Sequence, residues 1–151
     1  MAEITLVDVT PENWRDICAL DPGPEGLKYT GSNAYNMLWG VYAPQWIVRG
    51  IVADGALVGC ARFGPSAELP GIELIHFMID ARFQGRGYGK AALRAVAAEM
   101  LARFGVGEIY LSVDPNNARA RHIYEAAGFV PTGERDKHED VFRLKAEDLV
   151  P

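Results

Sequence analysis

Cysteine is scarce in this chain of 151 residues: there are two, Cys18 and Cys60, far apart and in unlike settings. Neither belongs to a CxxC or to a Cys/His cluster, so the sequence offers no zinc site and no metal is expected. The two read as small buried hydrophobes in a reducing compartment. Basic charge is also in short supply. Against 20 aspartates and glutamates stand 15 lysines and arginines, a net charge of −5. Nucleic-acid binders normally carry a basic face, and no nucleic acid is expected as a partner. No apolar run approaches the roughly 20 residues that span a bilayer. Met1-Ala2-Glu3-Ile4 lacks the basic start and apolar core of a signal peptide. Repeats and low-complexity segments are absent too. A cytoplasmic protein with no membrane partner is the expectation.

What is there fits an ordinary globular chain, with 49% hydrophobic and 23% charged residues. The length suits one domain, residues 1–151, around one core. A mildly acidic surface suits a cationic substrate, and equally suits solubility alone.

Ile4 to Val9 alternates as a strand does. Thr10-Pro11 then opens a helix, with Thr10 as N-cap and Pro11 in the first turn. Asp21-Pro22-Gly23-Pro24 reads as a loop, and Ser32-Asn33 caps a second helix through Tyr35, Leu38 and Trp39. Trp46–Ala53 and Ala56–Phe63 are strands joined by the hairpin signal Asp54-Gly55. Ile72–Ile79 reads as a buried strand. From Gly87, apolar residues from Leu93 to Phe104 recur at helical spacing until Gly105. Ile109–Val113 is a strand, and Asn116 or Asn117 caps a helix that ends at Gly128. Val130 and Val141–Leu144 form a closing hairpin. The order β-α-α-β-β-β-α-β-α-β-β predicts an α/β fold with antiparallel hairpins around a parallel βαβ step.

Between Ile79 and the long helix lies Gln84-Gly85-Arg86-Gly87-Tyr88-Gly89-Lys90. Three alternating glycines at a helix N-terminus bare backbone N–H groups beside the positive end of the helix dipole, an arrangement suited to a pyrophosphate. A plain tight turn would use glycine as well. Arg86 and Lys90 beside the glycines favour the phosphate. A Walker loop is excluded, because Gln84 stands where its first glycine belongs and Ala91 where Ser or Thr belongs. A dinucleotide fingerprint fits poorly: Glu108 lies at the ribose-binding distance but starts its strand instead of ending it.

Gln84, Gly87 and Gly89 occupy the fixed places of a Q/R-x-x-G-x-G/A segment that closes a strand and opens a helix. The segment resembles motif A of the GNAT superfamily of N-acetyltransferases. Asn117 to Phe129 looks like that family's N-x-x-A-x-x-x-Y-x-x-x-G-F. The resemblance spans nearly the whole chain and implies the GNAT fold, a mixed and mostly antiparallel sheet with a parallel core. It implies acetyl-CoA as cosubstrate, held by Gln84, Gly85, Arg86, Gly87, Tyr88, Gly89 and Lys90. Met78 and Ile79 would pair with the pantetheine through their backbone, and Asn117 would contact the same arm unless it only caps its helix.

Transfer to an amine requires an uncharged nitrogen, although an alkyl ammonium has a pKa of about 10.4. The resemblance implies a carboxylate base on the strand before the loop, where Glu73 lies. Strand alternation places Glu73 on one face with Ile75, Phe77 and Ile79. A role at a solvated strand entrance is the alternative, and His76 is the runner-up base. Tyr124 is the expected proton donor to the thiolate, since a phenol of pKa about 10 matches it in basicity. Core packing would also suit that ring. Ser32-Asn33-Ala34-Tyr35 and Met78-Ile79-Asp80 resemble bacterial spermine/spermidine acetyltransferases of this class. Tyr35, with the carboxylates of Glu25 and Glu68, would then meet the acceptor. Another small amine, an antibiotic or a protein N-terminus remain as acceptors, and a non-catalytic acetyl-CoA sensor is the other class. A small-molecule amine is the expected partner, with a homodimer left open.

Overall fold

The computed structural model describes residues 2–151, so Met1 of the N-terminal stretch lies outside it. Its elements are β1 (Ile4–Asp8), α1 (Trp14–Ala19), α2 (Gly23–Leu27), α3 (Asn33–Tyr42), β2 (Ile47–Ala53), β3 (Ala56–Pro65) and β4 (Ile72–Ile79). There follow α4 (Tyr88–Phe104), β5 (Glu108–Val113), α5 (Ala118–Ala127), β6 (Val130–Asp136) and β7 (Glu139–Lys145). The expected order holds, with one short helix added. That helix is α2, in the Pro/Gly stretch read as a loop. Pro24 is accommodated because it sits in the first turn, where its missing N–H has no partner to lose. Thr10 does not open α1. Its hydroxyl accepts the amides of Glu12 and Asn13 in a turn, and the helix starts at Trp14.

The strands form one seven-stranded sheet in the order β1-β2-β3-β4-β5-β7-β6. Every neighbouring pair is antiparallel except β4 and β5. Asp54 and Gly55 both have positive φ, 49° and 83°, so the β2–β3 turn has the twist that a two-residue hairpin requires. Leu93, Val96, Ala97 and Met100 of α4 lose all their exposure against one face of the sheet. On the other face, Ile17 and Leu20 pack with Val48, Cys60 and Met78.

Two departures from regularity position the site. Between β4 and β5 only Glu73 and Tyr110 are in register, and past that pair the strands part. Between β3 and β4 the register jumps: Arg62 faces His76, whereas Phe63 faces Leu74. Ile75 is therefore a bulge, 41% exposed. A one-residue slip moves every following side chain to the opposite face. Ile72, Leu74 and Ile79 consequently all reach the core under α4. Glu73 thus sits on the opposite face, beside His76 and Met78, not with Phe77 and Ile79 as simple alternation predicts.

Candidate active site

The parted ends of β4 and β5 leave a cleft of about 720 Å³. Leu74 to Ile79 line one wall, and Ser112, Val113 and Asp114 line the other. The loop after β4 closes one end, with Gln84, Gly85, Gly87, Gly89 and Lys90 on the lining. Gly85 and Gly87 have φ of 79° and 81°, and a Cβ on either would meet nothing within 4 Å. These two positions need glycine for the backbone turn. Gly87 caps α4 with no side chain, and the first helical bond runs from the Ala91 amide to the Gly87 carbonyl. The amides ahead of Ala91 therefore stay free at the positive end of a 17-residue helix. Gly89 differs. It is helical, and a Cβ there would make an ordinary contact with Ile123 Cδ1 of α5 at 3.4 Å, so only a larger side chain would press on that helix.

The side chains of the loop do several things other than hold a ligand. Gln84 Nε2 donates to the carbonyls of Ile79 (2.8 Å) and Pro22 (3.1 Å). Its oxygen accepts Arg119 Nη1 at 2.6 Å, so Gln84 bridges β4, the α1–α2 connection and α5. The Tyr88 phenol reaches away to Asp54 at 3.2 Å, and Arg86 lies over the Phe83 ring at 5.6 Å. Neither side chain lines the cleft, which leaves Tyr88 an amide to offer and Arg86 a general positive charge. Lys90 does line it.

Met78, Ile79 and Asn117 lie on the lining as expected. The Asn117 oxygen caps α5 through the Ala120 amide at 3.3 Å, and its NH2 group has no partner among the described residues. Capping and contact with a ligand are thus compatible. Tyr124, on α5, packs its ring against Phe129 with centroids 6.0 Å apart and also lines the cleft. Burial pushes its pKa up to about 12, and the charge of Glu139 adds to the effect.

His76 lines the cleft too, but both ring nitrogens are engaged. Nε2 donates to Asn33 Oδ1 and Nδ1 accepts the Thr30 hydroxyl, each at 2.8 Å. The tautomer follows from Asn33, whose NH2 already donates to the Ile17 carbonyl. Burial lowers the His76 pKa to about 4, so the ring is neutral and a weak base. Glu73 does not line the cleft. It is 4% exposed, at the closed end where β4 and β5 still pair, and it accepts the Ser66 hydroxyl at 2.5 Å. Burial raises its pKa, with the Ser66 bond opposing.

The three residues expected to meet the acceptor lie off the cleft. Glu25 is paired with Lys28 at 2.8 Å, and α2 presents Gly26 to the cleft instead. Tyr35 is 57% exposed and packs edge-on to Trp39, because α3 turns Asn33 and Asn36 toward the sheet. Glu68 is exposed in the β3–β4 loop. Sequence reasoning passed over Tyr29, Thr30, Ser112, Asp114 and Glu139, which do line the cleft. Ser112 carried a faint signal as the polar member between Leu111 and Val113. Glu139 carried none, since it arrives from the distant hairpin.

A glycine loop with free amides at a helix N-terminus, opening on a cleft between parted parallel strands, defines an acyl-CoA-binding transferase fold. Residues 11–129 match the acetyltransferase (GNAT) family, and the chain belongs to that family. It is an acetyl-CoA-dependent N-acetyltransferase. It is 36% identical over 139 residues to a spermine/spermidine N(1)-acetyltransferase of Bacillus subtilis (strain 168), covering 88% of this chain and 91% of that protein. In three dimensions it resembles spermidine N-acetyltransferase from Vibrio cholerae, solved with CoA and spermine. The TM-score is 0.72 at 17% identity, over 96% of each chain. An aminoglycoside acetyltransferase solved with coenzyme A gives a TM-score of 0.80 at 15% identity, over 97% of this chain and 96% of that one. At such identities the structural likeness speaks for the fold. No helix among the described residues is long and apolar enough to cross a membrane.

Proposed function

We propose that this chain acetylates a primary alkyl amine by direct attack, with a polyamine as the acceptor. The observation that carries the reading is the place of Tyr124, a protonated phenol on the cleft that begins at the free amides of the glycine loop. Acetyl-CoA supplies an activated thioester carbon. The loop amides hold its pyrophosphate, and the NH2 of Asn117 is free to bind the pantetheine arm. Tyr124 gives its proton to the departing sulfur as the new C–N bond forms and the C–S bond breaks. Its raised pKa keeps that proton in place across the physiological range.

Glu73 does not line the cleft, so the proton lost by the ammonium reaches that carboxylate by relay through solvent and not by direct contact. Burial raises the affinity of that carboxylate for a proton, which makes it a better proton acceptor than an exposed carboxylate. His76 is excluded from the role by its occupied nitrogens and its low pKa. The polyamine acceptor is supported by the named activity of the Bacillus relative. Native mass spectrometry for bound CoA, followed by thiol release with spermidine, n-butylamine and an aminoglycoside, tests the reading. Release with spermidine at a kcat/KM well above the others bears it out. Release with the aminoglycoside alone overturns the acceptor, and no release with any amine overturns the transfer itself.

A further inference from the structure

Two carboxylates line the cleft, Asp114 and Glu139. Asp114 is committed locally: one oxygen accepts the Asn116 amide at 2.8 Å and the other lies 3.5 Å from His138 Nε2. Glu139 is not. It stands half-buried at the start of β7 and accepts only the Ser112 hydroxyl, at 2.9 Å. Among the described residues no lysine, arginine or histidine forms an ion pair with it. A half-buried carboxylate with one neutral partner leaves most of its acceptor sites unfilled.

The cationic lining residues Lys90 and Arg119 belong to the glycine loop and the start of α5, where a pyrophosphate would sit. Glu139 is instead tied to Ser112 on the β5 wall, near enough to Tyr124 for its charge to act on the phenol. An anion beside the proton donor is unhelpful to a bound phosphate and well suited to a cation. A neutral hydroxyl on Ser112 fixes the carboxylate without neutralising it.

Resting on the reading of this cleft as an amine acetyltransferase site, we propose that Glu139 receives the ammonium of the acceptor. It holds that group against the Tyr124 side of the cleft, and Ser112 orients the carboxylate. Glu139 is thereby the specificity residue for cationic acceptors, a place that Glu25, Glu68 and Tyr35 do not fill. A charged partner makes the contact a charge-assisted hydrogen bond, which is stronger than the bond from Ser112.

The test uses the full chain with spermidine and coenzyme A as separate probes. Calorimetry gives the Kd of each, and steady-state kinetics give KM and kcat for spermidine at saturating acetyl-CoA. In Glu139→Gln, the Kd and KM for spermidine should rise about tenfold or more, while the Kd for coenzyme A stays within about twofold. Glu139→Asp keeps the charge and should recover part of the loss. Ser112→Ala should produce a smaller rise in the same direction. Should Glu139→Gln lose its fold, as judged by melting, Glu139→Asp and Glu139→Ala carry the comparison. A Glu139→Gln variant, or failing that a Glu139→Ala variant, that binds spermidine as tightly as the wild type overturns the role of Glu139 while leaving the transferase reading intact. If the wild type binds coenzyme A but neither binds nor acetylates spermidine, the polyamine reading itself fails, and this assignment fails with it.

Discussion

Ser66 donates its hydroxyl hydrogen to Glu73 at 2.5 Å, and the same oxygen accepts the amides of Glu68 (3.1 Å) and Leu69 (2.8 Å). One hydroxyl thus ties the β3–β4 loop to the buried carboxylate. Burial raises the Glu73 pKa and the Ser66 bond restrains the rise. Removing the bond in Ser66→Ala should push the pKa further up. If Glu73 is the base, the ascending limb of kcat/KM against pH should move to higher pH in Ser66→Ala. Ser66→Thr should restore it. Unmoved profiles in both variants would remove Glu73 from proton transfer.

The same burial makes a stability prediction with a definite sign. A carboxyl group whose folded pKa is raised binds its proton more tightly in the fold than in the unfolded chain. Stability from that difference is full below the unfolded value, about 4.3, and is lost as pH rises through the raised one. Glu73→Gln is neutral at every pH. It should melt higher than the wild type at pH 7, with the gap narrowing as both are taken below about pH 4. A variant that melts lower at pH 7 would show that the charged form is favoured in the fold.

Tyr124→Phe keeps the ring against Phe129 and removes only the proton donor. The melting temperature should hold while kcat falls by roughly 10²–10⁴-fold. Because the phenol pKa is pushed up to about 12, the wild type should show no descending limb from its ionisation below about pH 10. Equal kcat in both proteins, under conditions where chemistry limits the rate, would assign the proton to water.

The glycines of the loop should separate by role. Gly87→Ala places a side chain at φ 81° in open space, so the expected loss is backbone strain of about 1 kcal/mol or more and a weaker grip on coenzyme A. Gly89→Val instead presses on Ile123 and should part α4 from α5, lowering both stability and coenzyme A affinity. Calorimetry and melting on each variant read the two effects. Unchanged affinity in a folded Gly89→Val protein would sink the assignment of this helix terminus to the cofactor.

Much of this fold was legible because its signals are local. Ile72–Ile79 stands as read, the Asp54-Gly55 turn has the positive φ pair that its sequence requires, and Gly105 and Gly128 end their helices in left-handed conformation. The glycine loop was legible for the same reason: a strand, three alternating glycines and a helix are all contiguous. The acceptor side was not. The bulge at Ile75 has no glycine or proline to announce it, yet it decides which face Glu73 occupies. Glu139 reaches the cleft only through the pairing of β7 with β5, a contact between distant segments. Tyr35 misled because a helix residue between two inward asparagines turns outward.

The last prediction concerns how α3 is fastened to the sheet. Arg62 on β3 is 4% exposed, and its guanidinium carbon lies 5.0 Å from the Trp39 centroid and 4.7 Å from that of Trp46. Its Nε donates to Asn36 Oδ1 at 2.7 Å. Burial lowers its pKa, but a guanidinium starts so high that it stays charged. A desolvated cation over two rings gains cation–π attraction from each, and the Asn36 bond orients the guanidinium. Trp39 and Asn36 belong to α3, so these contacts fasten that helix to the sheet. Arg62→Lys keeps the charge but cannot stack flat against two rings or reproduce the planar donor. It should lower stability by roughly 2–4 kcal/mol, from the lost cation–π contacts and a buried Asn36 oxygen left without its donor. Coenzyme A affinity at 25 °C should be unchanged, because none of Arg62, Asn36, Trp39 and Trp46 lines the cleft. Melting and denaturant titration of Arg62→Lys measure the first, and calorimetry the second. A lysine variant as stable as the wild type would mean that the charge alone, not the stacked plane, holds α3 in place.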